Sequence, residues 1–585
     1  MKRNTKSQKL AKLLSLGLLL FSLNLMGQTK AEQIDALMQK YFEYNKFHGS
    51  VLVADQGEVL YKKGFGYANI EWQIPNAANT NHRLGSVTKQ FTAMLILQLA
   101  EEGKLDLQAP IATYLPDYPK PYADQITTHM LLTHTSGIPN YTSIEGLVRK
   151  ESRNYYSPED FIAFFSELEL DFEPGSQHNY SNSGYFLLGL IVEKLSMMSY
   201  EDALQQRIFD PLKMMDTGYD TARKIISNRA AGYERNGRNL INAPFLDMSL
   251  PYAAGAMYST VEDLFLWDRA LYTNKLLSKE YMDKYLSPYT KEVGDFRYGY
   301  GLVHGNIPLG TSKDSLFMMG HDGGINGFNT RISRAPSEES MVVLLNNTGA
   351  APLKEITLKI MAILKDAEFN GPKQSMANAM VAVASEKGID AAFDFYKKNK
   401  DNAGYELLEN EVNAVGYELL FNKQMKEAAR VFELNMEAFP NSFNVYDSYA
   451  EVMMYMGKRK QAIKYYQKSL ELNPANQNGI DMLKRMGVEV NTEEEVMVIA
   501  EDILLTYTGT YEMTAGFVVN VTLENGQMYA EATGQGKFAI YPRSESAFYT
   551  KDINAQMQFN KNAAGKVDSI LLSFNGQEIP GKKIK

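Results

Sequence analysis

Leu84-Gly85-Ser86-Val87-Thr88-Lys89-Gln90 leads into an apolar-periodic run over residues 91–99, which puts a serine at the start of a helix. Helical residues three apart share a face, so Lys89 can reach the Ser86 hydroxyl and, as a neutral amine, take its proton. The positive end of the helix dipole and any nearby cation disfavour the ammonium form of Lys89, as a general base requires. A serine three residues before a lysine also arises by chance about once or twice in a chain of this length, so the pair needs company.

Two further stretches supply it. In Asn179-Tyr180-Ser181-Asn182-Ser183-Gly184-Tyr185, an extended turn points Tyr180 and Asn182 into one cleft and Ser181 away from it. Tyr180 as a phenolate could share the proton with Lys89, while Asn182 could hold the lysine and an acyl amide of a substrate. Asn and Ser before a helix also serve as ordinary helix-entry residues. Met319-Gly320-His321-Asp322-Gly323-Gly324-Ile325-Asn326-Gly327-Phe328 precedes an alternating segment over 329–333. Its glycines allow close backbone approach. On a strand edge facing Ser86, the N–H near Gly324 could join that of Ser86 as an oxyanion hole, with His321 and Gly323 at the substrate.

A serine-x-x-lysine, a tyrosine-x-asparagine and a histidine-x-glycine in this order resemble the β-lactamase-related serine hydrolases, the superfamily of penicillin-binding proteins and class C β-lactamases. Residues 49–67, Leu131-Leu132-Thr133-His134-Thr135-Ser136-Gly137-Ile138, Phe172-Glu173-Pro174-Gly175 and Ala254-Gly255-Ala256-Met257-Tyr258-Ser259 extend the likeness over about residues 30 to 365. The resemblance implies an acylated Ser86, proton transfer by Lys89 and Tyr180, and support from Asn182. His321-Asp322-Gly323 departs from the lysine-threonine-glycine of many penicillin-reactive members and resembles esterase, peptidase and transpeptidase-like branches. A fixed positive charge for a β-lactam or peptide carboxylate is thereby missing, or only partly present as protonated His321.

The chain has 585 residues, 45% of them hydrophobic and 22% charged, which is too long for one core and ordinary for a soluble multidomain protein. Residues 1–27 carry Lys2, Arg3, Lys6, Lys9 and Lys12 before a short apolar run and read as a secretory signal peptide. A periplasmic or secreted protein with no integral membrane segment after signal removal is the expectation. Cysteine is absent, so neither a disulfide framework nor a lipobox is available. Loss of the leader takes the net charge from −9 to −14, which disfavours nucleic acid as a partner. His48, His82, His129, His134, His178, His304 and His321 form no spaced metal pair, so no metal or cofactor is expected. His134, in a Thr/Ser/Gly turn, reads as a structural hydrogen-bonding residue.

From about Gln374 to Met486 the pattern turns helical. Pro440 and Pro474 are 34 residues apart, as are Ala428 and Ala462, and Phe432 and Tyr466. With Tyr446, Tyr449, Ala450 and Gly457 they resemble the packing positions of tetratricopeptide repeats, with a degenerate unit upstream around residues 384–400. Such a short array serves as a spacer or docking surface, with a protein partner possible. After the acidic linker Thr492-Glu493-Glu494-Glu495, alternating runs with Asn525-Gly526 and Asn575-Gly576 turns predict a small antiparallel β accessory module with no catalytic set.

The expected organisation is α+β and multidomain: signal peptide 1–27, a transpeptidase-like antiparallel sheet flanked by helices over 28–367, an all-α repeat region over 368–490 and a β domain over 498–585. The expected function is an exported serine hydrolase acting through acyl-Ser86 on an ester or amide, with D-amino-acid peptides among the candidates. Its rivals are a β-lactamase or D-alanyl-D-alanine carboxypeptidase, and a catalytically silent ligand-binding protein signalling through the repeats.

Overall fold

The computed structural model describes residues 28–584 apart from 120–121, 292–295, 491–498, 515–516, 525, 533–535, 551–554, 563–564 and 575–576. The expected leader and the acidic linker lie outside the described residues. Among those described, no helix is long and apolar enough to cross a membrane.

Seven antiparallel strands form the central sheet: β1 (Gly49–Asp55), β2 (Glu58–Phe65), β3 (Phe296–Tyr298), β4 (Val303–Pro308), β5 (Ser315–Ile325), β6 (Phe328–Ala335) and β7 (Ser340–Asn346). Their order is β3-β4-β5-β6-β7-β1-β2. Side chains alternate across a strand, so one strand can serve two cores. Val51, Val53, Val342 and Leu344 face α1 (Lys30–Glu43) and α4 (Leu353–Leu364). Leu52, Ala54, Met341, Val343 and Leu345 face a helical layer built on α2 (Thr88–Glu101) and α3 (Asn182–Ser196). Covered on both faces, β1 and β7 read as near-continuous apolar runs rather than alternating ones. Helix α2 is buried on every side from Thr88 to Ala100, which is why its apolar residues form no single stripe.

The helical region contains the pairs α5 (Met376–Lys387) with α6 (Ile389–Asn399), α7 (Glu409–Phe421) with α8 (Met425–Ala438), and α9 (Phe443–Tyr455) with α10 (Arg459–Leu472), followed by α11 (Gln477–Arg485). Every bound of the third pair lies 34 residues after its counterpart in the second. Ala428, Phe432, Ala450, Ala462 and Tyr466 are fully buried between these helices. Gly457, at φ 72°, closes α9.

The C-terminal strands exceed the expectation of a small antiparallel module: they form a closed barrel. In chain order they are β8 (Gly509–Thr514), β9 (Phe517–Glu524), β10 (Gln527–Ala532), β11 (Lys537–Pro542), β12 (Ala547–Thr550), β13 (Ala555–Lys561), β14 (Val567–Phe574) and β15 (Gln577–Lys583). The pairing of Tyr511 with Lys583 and of Glu512 with Lys582 joins the first strand to the last, removing both free edges. The flanking ladders end at Glu524–Gln527 and at Phe574–Gln577, and Asn525, Asn575 and Gly576 of the expected turns lie outside the described residues. Leu504 and Tyr507 of helix α12 (Glu501–Tyr507) help fill the barrel core.

The helical region joins the two other parts. Lys46, before β1, pairs with Glu406 and donates to the Lys373 carbonyl at 3.0 Å; Arg238 donates to Asn378 and Glu418. On the far side, Asn441 donates to Glu578 and Gln556 to the Leu472 carbonyl.

Candidate active site

Ser86 does not open the α-helix itself; it sits in a 3₁₀ turn over Gly85–Val87 that feeds into α2. Residues three apart eclipse in a 3₁₀ turn, so the tighter winding preserves the Ser86–Lys89 approach. Gly85 has φ 54°, a conformation that favours glycine, and a Cβ there would fall 2.8 Å from the Gly324 nitrogen. Gly323 is equally constrained: a Cβ would lie 1.9 Å from the Leu84 carbonyl oxygen. Thr330 on β6 donates to that same carbonyl at 2.7 Å and ties the serine turn to the sheet.

Strand β5 is internal, not an edge as expected, since it pairs with both β4 and β6. Its pairing with β4 stops at Gly320, whereas its pairing with β6 continues to Ile325. Residues 321–325 therefore form a local overhang beside the serine turn. Gly324 is exposed there, with no described atom within 4 Å of where its Cβ would be, which leaves room for a ligand next to its backbone.

Lys89 is fully buried, and its Nζ lies 3.0 Å from Ser86 Oγ, 2.8 Å from Asn182 Oδ1 and 2.8 Å from the Ala254 carbonyl oxygen. A neutral amine has two N–H donors and one lone pair. The two carbonyl oxygens take the donors, and the lone pair is left for the serine proton. Burial holds the Lys89 pKa well below its ordinary value, which favours that neutral form.

Ser181 is extended at φ −131° and buried, its hydroxyl donating to the Ile138 carbonyl, so its neighbours Tyr180 and Asn182 turn the other way as expected. Asn182 is the first residue of α3. Its backbone N–H donates to Asn140 Oδ1 at 3.1 Å, and its Nδ2 reaches Asn140 and Thr142 at 3.3 Å. Those contacts aim Oδ1 at Lys89. His134, left-handed at φ 57°, accepts the Ser181 N–H on Nδ1 and lies with its ring 4.2 Å from that of Tyr180. It braces the loop, in keeping with its structural reading.

The charge state of Tyr180 differs from expectation, while that of His321 is the alternative in which the fixed positive charge is missing. The Tyr180 ring is half-buried, but its hydroxyl is shielded from water and has no hydrogen-bond partner among the described residues. Burial pushes the phenol pKa up, only partly offset by the nearby Ser86 hydroxyl, so the resting group is a phenol and not the phenolate considered from sequence. His321 is buried, and its pKa falls to about 4 through burial and the proximity of Lys89. Its Nδ1–H donates to the Asp322 carbonyl at 2.6 Å, leaving Nε2 to accept from the Tyr298 hydroxyl at 3.0 Å. The imidazole is neutral and offers no positive charge to a carboxylate.

Beside these residues opens a cavity of about 970 Å³, lined by Tyr180, His321, Asp322, Arg331 and Lys354 among others. Arg331 grips Asp322 through both carboxylate oxygens at 2.5 and 2.7 Å. Sequence reasoning missed Asn140, Tyr298, Thr330 and Arg331, because none belongs to a local motif; the period-2 pattern around 329–333 marked the strand but not which face meets Ser86. Among the described residues no cluster of His, Asp or Glu could hold a metal ion.

The family profile described as Beta-lactamase matches residues 34–363, and one described as Domain of unknown function (DUF3471) matches residues 495–583. Penicillin-binding protein 4* of Bacillus subtilis (strain 168) is 31% identical over 358 residues, covering 59% of this chain and 76% of its own length. A penicillin binding protein from Bacillus halodurans superposes with a TM-score of 0.50 at 28% identity, over 56% of this chain and 99% of its own. D-amino acid amidase from Ochrobactrum anthropi SV3, solved with L-phenylalanine amide, gives 0.51 at 25% identity, over 58% of this chain and 99% of its own. The chain belongs to the β-lactamase family, and with it to the serine hydrolases.

Proposed function

We propose that residues 28–367 hydrolyse an ester or amide, D-amino-acid peptides included, through an acyl-Ser86 intermediate. The observation that carries this reading is the 3.0 Å approach of Lys89 Nζ to Ser86 Oγ in a fully buried setting, where burial lowers the lysine pKa toward the neutral amine. Lys89 takes the hydroxyl proton as Ser86 Oγ attacks the carbonyl carbon. The N–H groups of Ser86 and Gly324 receive the oxyanion. The Tyr180 phenol gives its proton to the leaving alcohol or amine and is restored from Lys89. Water, deprotonated by the same pair, then attacks the acyl carbon, and Ser86 leaves with the proton. Asn182 holds Lys89 in place, and Gly323 keeps the β5 overhang against the serine turn.

The neutral His321 favours an esterase or peptidase. The named relatives favour the second reading, a penicillin-recognising carboxypeptidase or β-lactamase. Export as a periplasmic or secreted protein is part of the proposal, supported by the basic-then-apolar residues 1–27. The 34-residue recurrence of α7–α10 supports tetratricopeptide repeats over 368–490, acting as a bracket and not by way of a protein partner. Intact-mass spectrometry after a fluorophosphonate and, separately, a penicillin tests the site, with Ser86→Ala as control. An adduct on Ser86 from the fluorophosphonate alone supports the esterase or peptidase, and adducts from both support the penicillin-recognising enzyme. With neither, the silent binding protein takes precedence.

A further inference from the structure

The cavity lined by Tyr180 and His321 is not made by the catalytic domain alone. Asn520, Glu531, Ala532 and Gly536 of the C-terminal barrel form part of its wall. Asn520 and Glu531 are register partners on β9 and β10, and the residues beside them in sequence, Val519, Val521 and Ala530, point into the barrel core. Strand alternation therefore sends Asn520 and Glu531 outward, into the cleft. Glu531 is the ionisable member of the four.

Its surroundings mark it as a recognition group. Glu531 remains open to solvent, yet enough protein surrounds it for burial to raise its pKa. Among the described residues no hydrogen bond or ion pair holds the carboxylate. Its cross-strand partner Lys537, whose charge pulls the Glu531 pKa the other way, is bonded to Glu524. Of the other carboxylates in the cavity, Asp322 is neutralised by Arg331, while Asp171 stands on the catalytic domain before Tyr180. A partly desolvated carboxylate that faces a ligand cavity and is bonded to no cation among the described residues gains from a cation that arrives with the ligand, although Arg297, Arg331 and Lys354 line the same cavity.

Resting on the acyl-Ser86 reading, we propose that Glu531 is a specificity residue and that the substrate carries an ammonium group, on its terminal amine or a side chain, which the barrel holds while Ser86 attacks the carbonyl. The helical region then serves to hold that wall over the cleft, through Lys46 and Arg238 on one side and Asn441 and Gln556 on the other.

The test uses the full chain and nitrophenyl esters of straight-chain acids ending in an ammonium, a methyl or a carboxylate, over a short series of chain lengths. A ratio of kcat/KM values measured on one preparation is independent of the fraction of active protein. The expected result is a preference for the ammonium ester that falls about tenfold in Glu531→Gln and turns toward the carboxylate ester in Glu531→Lys. An unchanged ratio in both variants, or a preference that follows Asp171→Asn instead, overturns the assignment to Glu531. Fluorophosphonate labelling read in parallel separates the two levels. A labelled Ser86 with no cleavage or preference for the ammonium ester overturns this inference alone, and an unlabelled Ser86 overturns the acyl-serine reading beneath it.

Discussion

At the scale of the residue, the central fact is a fully buried lysine that pairs with no carboxylate among the described residues. Desolvation drives Lys89 toward the neutral amine, and the acceptors around it match that species. Activity requires the unprotonated form, so kcat/KM should fall as pH drops through the depressed Lys89 pKa. His321, neutral down to about 4, should add no further limb between about pH 5 and 8. A pH–rate profile over that range checks both; an acid limb near the ordinary histidine value that survives in His321→Asn would assign it elsewhere. Lys89→Met should slow acylation about 100- to 10,000-fold, and Tyr180→Phe should slow leaving-group departure within the same range. Burst kinetics with an activated ester should separate them, because a good leaving group needs little help from Tyr180.

At the scale of the element, the site depends on how closely a strand can approach a turn. Gly323→Ala would put a methyl carbon 1.9 Å from the Leu84 carbonyl oxygen and 2.3 Å from Thr330 Oγ1. One of the two must move, so the variant should lose about 1–3 kcal/mol of stability and most of its Ser86 labelling rate. Melting curves and labelling time courses measure these, and a wild-type labelling rate in Gly323→Ala would show that the approach is not required. Between α7 and α8, Phe432 occupies the space that Gly416 leaves: a Cβ on Gly416 would come within 2.4 Å of its ring. Phe432→Ala should cost the helical region about 3–5 kcal/mol. Limited proteolysis should then cut first within 368–490 and leave the catalytic domain whole.

At the scale of the whole molecule, the buried residues of the two cores on either face of the sheet lie within 34–364, with Phe369 packed against the outer one. A chain ending at residue 367 should therefore retain Ser86 labelling by a fluorophosphonate, because among the described residues the hydrogen-bond partners of Lys89 and Asn182 all lie before it. The same truncation removes Glu531 and the barrel wall, so its ester preference should cease to depend on charge at the far end of the acyl chain. Rates on the matched ester series check this, and loss of labelling in a folded truncation would show that the later domains support the chemistry itself.

Sequence alone determined what local geometry dictates. Ser86 and Lys89 are three apart on one winding, Tyr180 and Asn182 two apart on an extended turn, and the 34-residue spacing of Pro440 and Pro474, Ala428 and Ala462, and Phe432 and Tyr466 marked a recurrence that α7–α8 and α9–α10 follow. These relations depend on backbone periodicity, which a single segment carries. Charge states and walls were decided by the tertiary structure. Tyr180 is a phenol and His321 a neutral imidazole because distant segments exclude water from them, and desolvation has no signature in a local motif. Barrel closure required β8 to find β15, and the placing of Glu531 at the catalytic cleft required three domains to pack, over a separation in sequence that no pattern within the barrel records.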